Sequence, residues 1–214
     1  MRFNYDFSKG TIKHLIEAEF YNEASKVLPK TFSSTIITGP DFKRHVDNME
    51  QYLKCKSFTI CELNTHIFVD IFNGLKDFPL IKVKNENIKD YGTTFIDCDL
   101  TCVSDIEAIK ATLLKQIETQ STCNRSKVFI FSFSLRTSSP KSIDCYIRPL
   151  FGLLGSHISS IKLLNKNALT IKTKINNYCN SLNVNKTKGR IINYKLYSYN
   201  AGGGPMLTCY IEYK

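Results

Sequence analysis

Asp97 and Asp99 stand two places apart in a run, 94–100, that alternates as a β-strand, so both carboxylates fall on one face. A nuclease that grips a metal between paired acids would use such a pair. Carboxylates on a strand beside a loop are more often solvated than ligating, and we read these two as solvated. His14, His45, His66 and His157 lie far apart, and none stands in an HExxH or beside a cysteine pair, so no metal centre is expected. His157-Ile158-Ser159 makes half of a paired-histidine hydrolase motif, but its only mate, His66-Ile67-Phe68, lacks the hydroxyl residue. Gly202-Gly203-Gly204-Pro205 could cradle a phosphate, yet no Gly-Lys-Ser/Thr follows and no helix opens after it; a hairpin turn explains it better. No catalytic residue, metal or cofactor is therefore expected, and the chain reads as a binding protein rather than an enzyme.

Charge is more informative. The 214 residues carry 29 Lys and Arg against 19 Asp and Glu, a formal net charge of +10. A surplus of that size favours polyanions, through attraction and counterion release, and so points to nucleic acid or an anionic membrane surface. Hydrophobic and charged fractions of 43% and 22% are those of an ordinary globular protein. The eight cysteines form no CxxC and mostly sit inside apolar patterns, which predicts reduced, buried thiols in the nucleus or cytoplasm. No signal peptide is read at the start, and no window is apolar enough to span a membrane.

The elements that would position these charges follow from periodicity. Residues 2–7 alternate as a strand, and Ser8 caps a helix carrying Ile12, Leu15, Ile16 and Phe20. Residues 33–38 form a strand. Gly39-Pro40-Asp41 then starts a helix with Phe42, Val46, Met49 and Leu53 on its apolar stripe, leaving Lys43, Arg44, Asp47 and Glu50 outward. Residues 57–63 and 66–72 read as a hairpin across Asn64-Thr65, and 80–83 as a further strand. The polar stretch 85–92 is the candidate boundary between two domains, 1–90 and 91–214. Beyond it come a strand at 94–100, a helix with the capping box Ser104-Asp105-Ile106-Glu107, and a half-buried strand at 127–135 with Ser132 and Ser134 outward. A strand at 142–148 and an ambiguous segment at 158–164 follow. Asn167 caps a helix with Ile171, Ile175, Tyr178 and Leu182 inward, and strands at 191–199 and 206–213 close the series.

The helix starts at Asp41, Ser104 and Asn167 are equally spaced, and each is embedded in a β-α-β-β pattern. That order resembles the processivity fold of DNA sliding clamps and of herpesvirus polymerase processivity factors. The resemblance implies an α+β fold of two clamp-like domains with helices on one face of antiparallel sheets. It implies a non-enzymatic factor tethering a polymerase, or another replication or late-transcription protein, to double-stranded DNA or RNA, with self-association among the options. Lys13, Lys43, Arg44, Lys110, Lys115, Lys172 and Lys174 would then face the phosphates. Two other readings remain: a basic viral matrix-type protein on membrane and nucleocapsid, which shares the composition, and a double-stranded RNA-binding protein, whose first half the helix through 175–182, a strand, a Gly-rich turn and a strand resemble.

Overall fold

In the computed structural model the described residues are 11–86, 94–100, 126–134, 160–163, 179–185, 191–201 and 204–213. Helix α1 (Ile12–Val27) begins where the Thr11 hydroxyl accepts the backbone N–H of His14, and buries Ile16, Glu17, Phe20, Tyr21 and Ala24. Ser8 lies outside the described residues. The β-branched run Ser34–Ile37 is strand β1, and Gly39–Asp41 forms a 3-10 turn into α2 (Phe42–Gln51). The expected stripe of Phe42, Val46, Met49 and Leu53 is buried, but so are Arg44, His45 and Asn48, so α2 is covered on more than its apolar face.

Strand β2 (Phe58–Cys61) leads into α3 (Thr65–Gly74), where a hairpin was expected. The Asn64 side chain accepts the N–H groups of His66 and Ile67, a local helix start that the apolar run Ile67-Phe68-Val69 conceals, since it satisfies either periodicity. α3 ends at Gly74, where a Cβ would stand 2.6 Å from the Phe42 ring. Strands β3 (Ile81–Lys84), β4 (Phe95–Leu100), β5 (Lys127–Ser134), β6 (Ser160–Leu163), β7 (Cys179–Asn185), β8 (Ile191–Ala201) and β9 (Gly204–Tyr213) follow.

All nine strands form one sheet in the order β3-β2-β1-β4-β5-β9-β8-β7-β6. β1 to β5 are mutually parallel, and β9 is inserted antiparallel between β5 and β8. Parallel pairing requires a crossover between neighbours, and α2 and α3 supply two of them. The expected clamp-like pair of antiparallel domains is thereby overturned: β1 pairs with β4 across residues 85–92, and the sheet is predominantly parallel at its centre. The repeated unit also fails in its parts. α2 is followed by one strand and then another helix, and residues 179–182 of the expected third helix belong to strand β7. The helix expected at Ser104, the start of that at Asn167 and the strands at 2–7 and 142–148 fall outside the described residues.

One face of the sheet packs against α1, α2 and α3. Phe20 stacks on Tyr197 at 5.4 Å and meets Tyr210 at 5.6 Å, within a core shared with Ile36, Phe58, Phe95 and Ile130. The other face carries Ile96, Cys98, Phe129, Phe131, Phe133, Leu207, Cys209 and Ile211, all fully buried. β5 is therefore not half-buried: Ser132 points into the helical side and meets the Thr208 hydroxyl at 3.1 Å, and Thr208 meets Tyr199 at 2.8 Å. No described helix is long and apolar enough to cross a membrane.

Candidate active site

In a parallel sheet with crossovers, ligands bind beyond the carboxyl ends of the strands, where the strand order reverses. Here the reversal lies between β1 and β4, and three features meet around it. The first is the turn after β1, where Gly39 takes φ +56°, a conformation L side chains rarely adopt, with nothing within 4 Å of the place a Cβ would occupy. The second is Glu62, directly after β2. It is buried, and its Oε1 accepts the Asn64 N–H at 2.7 Å. Burial raises its pKa, opposed by the N–H groups of Asn64 and Leu63. The third is Asp99, near the end of β4, one residue beyond the Cys98 that pairs with Ile37 at the end of β1.

Behind Asp99 lies a buried charge cluster drawn from α1, the 3-10 turn, α2 and β4. Lys13 Nζ is 2.6 Å from Asp99 Oδ2 and 3.5 Å from Glu17 Oε1. Arg44 engages Glu17 through Nε at 2.6 Å and Nη2 at 3.0 Å, and Asp41 through Nη1 at 2.5 Å. His45 sits between two carboxylates, with Nδ1 2.9 Å from Asp97 Oδ2 and Nε2 3.3 Å from Asp99 Oδ2. Tyr21 donates its hydroxyl to Asp97 at 2.6 Å. Burial works against the charge on Lys13, Glu17, Arg44, His45 and Asp99, and the outcome differs from group to group. Burial lowers the His45 pKa, but Asp97 and Asp99 outweigh it and lift it to about 10. Burial would raise Asp99, yet Lys13, His45 and Arg44 hold it far below the carboxylate range. For Glu17 burial prevails over Arg44 and Lys13, and its pKa is raised.

The expected nucleic-acid contacts divide accordingly. Lys13 and Arg44 point inward into this cluster, because acids on α1, the 3-10 turn and β4 meet them there, and are not turned to solvent as the stripe on each helix implied. Lys43 is exposed. Lys110, Lys115, Lys172 and Lys174 lie outside the described residues. Asp97 and Asp99 do share a face, but Asp97 is buried, Asp99 is half-buried, and both are tied into ion pairs rather than solvated. Ligand atoms of Glu17, His45 and Asp99 come within 4.8 Å of one another, a spacing that could hold a metal ion. Lys13 and Arg44 already neutralise those carboxylates, so the donor set fits an ion-pair lattice better than a metal centre. Glu62 was missed from sequence; the available signal was an acid about twenty residues after a strand-ending glycine.

A scan of known protein families finds no match, and neither does a search of curated proteins. Solved structures do match. A precorrin-6y C5,15-methyltransferase from Geobacter metallireducens superposes with a TM-score of 0.52 at 12% identity, covering 98% of this chain and 95% of its own. The chain has a Rossmann-like fold, as that enzyme does. The N-methyltransferase NodS from Bradyrhizobium japonicum overlaps less closely, with a TM-score of 0.46 at 7% identity over 94% of each chain. At such identities the likeness speaks for the fold alone. It nevertheless overturns the sliding-clamp resemblance. The non-enzymatic tethering role and its polymerase partner rested on that resemblance and fall with it, because this sheet is not a clamp's.

Proposed function

We propose that the chain is a methyltransferase that binds S-adenosylmethionine over the carboxyl ends of β1 and β2. The observation that carries this reading is the pairing of the open, left-handed Gly39 turn with the buried Glu62 carboxylate on the next strand, in a sheet whose order reverses beside them. A carboxylate has about four acceptor sites, so Glu62 can keep its backbone N–H partners and still accept the two hydroxyls of a ribose. Gly39 leaves room for a ligand to approach the backbone.

The residues fit a nucleoside without phosphates better than a dinucleotide. Pro40 removes an N–H at the start of the helical turn, and the Asp41 carboxylate stands at the α2 N-terminus, where a pyrophosphate would need donors and positive potential. S-adenosylmethionine, when bound, supplies an electrophilic methyl group on a sulfonium. The role of the chain is to hold the ribose at Glu62 and to leave room for the donor over the Gly39 turn.

Isothermal titration tests this. The protein should bind S-adenosylmethionine in preference to NAD, and Glu62→Gln should weaken binding by about tenfold or more, as expected for hydrogen bonds to a charged acceptor. Absence of S-adenosylmethionine binding at millimolar ligand would overturn the assignment.

A further inference from the structure

A second concave space lies at the opposite edge of the sheet from the Gly39 turn and Glu62. It is a cleft of about 260 Å³ at the amino ends of β2 and β3, where Phe58 and Ile81 begin their strands. Val46 and Phe58, both buried, form its floor with the half-buried Ile81, and Phe78 and Leu80, 46% and 56% exposed, form its lip. Single apolar side chains on a surface need no explanation, but two of them beside an apolar hollow mark a place where something can bind. The walls are fixed by backbone. α2 ends in a turn with Lys54 at φ +53°, and the Cys55 N–H donates back to the Met49 carbonyl at 3.0 Å, which brings Cys55 and Lys56 to the cleft. On the β3 side the Phe78 N–H donates to the Leu75 carbonyl at 2.9 Å and the Ile81 N–H to the Phe78 carbonyl at 3.0 Å, with Pro79 between them. Phe78 and Leu80 are thus held open to solvent by the loop itself, and the site is formed before anything enters it.

The charges at the mouth select the ligand. Glu50 and Lys56 lie 3.8 Å apart and offset one another, whereas Asp77 has no cationic partner among the described residues. One carboxylate is therefore left over beside an apolar space. The Phe58 and Phe78 rings that line it also favour a cation over an anion. The volume lies just below the range of pockets that take drug-sized ligands, so it admits one ring or one branched chain with its head group.

We propose that this cleft is a second ligand site and binds a small organic cation, its aryl or branched alkyl body seated on Val46, Phe58 and Ile81 and its ammonium group at Asp77. The site shares no residue with the one assigned to S-adenosylmethionine, since Gly39 and Glu62 stand at the carboxyl ends of the strands and the cleft at their amino ends. It stands or falls without the methyltransferase reading.

Phenylethylammonium and phenylpropionate are matched probes, with one ring each and opposite charges. In amide NMR of the full chain at millimolar probe, phenylethylammonium should shift residues 55–58 and 77–81. It should bind about fivefold more tightly than phenylpropionate at low salt, and the preference should shrink as salt is raised. Asp77→Asn, an exposed substitution that leaves the walls intact, should erase the preference. Leu80→Lys, which removes half of the lip and adds a like charge, should weaken the cation by a similar factor. The comparison of the two probes on the wild-type protein needs no variant to fold. No shifts at millimolar probe, equal binding of cation and anion, or shifts centred on Gly39 and Glu62 instead would each overturn the proposal, and none of them bears on whether S-adenosylmethionine binds.

Discussion

At the scale of single residues, Lys43 and Arg44 are neighbours of similar charge with opposite fates. Arg44 is 7% exposed and holds Glu17 and Asp41, with Asp99 in range. Arg44→Met strands those carboxylates in the interior, and should cost about 3–5 kcal/mol in urea denaturation. Lys43→Met, on the exposed side of the same helix, should change stability by no more than about 0.5 kcal/mol. The cluster also fixes a pH profile. His45 binds its proton more tightly folded, with a pKa near 10 against an ordinary 6.5, so its contribution is complete below about pH 6.5 and is lost as pH rises towards 10. Asp99 is depressed, so its contribution is present above about pH 4 and is lost on acidification. Denaturation free energies measured across pH 6 to 10 should fall with pH in the wild type and flatten in His45→Gln. The common face of Asp97 and Asp99 was legible from the period of two. What sequence could not show was that Lys13 and Arg44 turn towards it, since a charge paired inside and a charge in water look alike on a helical wheel.

At the scale of elements, strands are read well wherever β-branched residues alternate between turns, as in β1, β4, β8 and β9. α3 is the instructive miss. Its Ile67, Phe68, Val69, Ile71 and Phe72 satisfy a strand as readily as a helix, and the deciding feature is the Asn64 side chain on the first free N–H groups. Asn64→Ala should therefore destabilise the protein by about 1 kcal/mol, measured by thermal or chemical unfolding. α3 has few tertiary contacts to offset that loss, because Ile71 is its only buried residue. The reverse miss, a helix expected through Leu182 where β7 stands, has the same cause, since apolar spacing over a few residues does not distinguish the two periods.

At the scale of the whole molecule, the order of the strands was the least legible property. Periodicity places strands but says nothing of who pairs with whom, and equal spacing of helix starts suggested repetition where the structure has a single winding sheet. Parallel pairing comes from the crossovers, and the crossover helix α3 was the element misread. The alternation along β4 has a consequence for how that sheet assembles. Asp97 and Asp99 face α1 and α2, whereas Ile96 and Cys98 face the opposite side, alongside Phe129 and Phe131 of β5. A slip of one notch would drive two carboxylates among phenylalanine rings and leave Arg44 and His45 looking at an apolar surface without a counter-charge. The ionic cluster thus acts as a pawl on the growing sheet: only one alignment of its central strand lets both sides close.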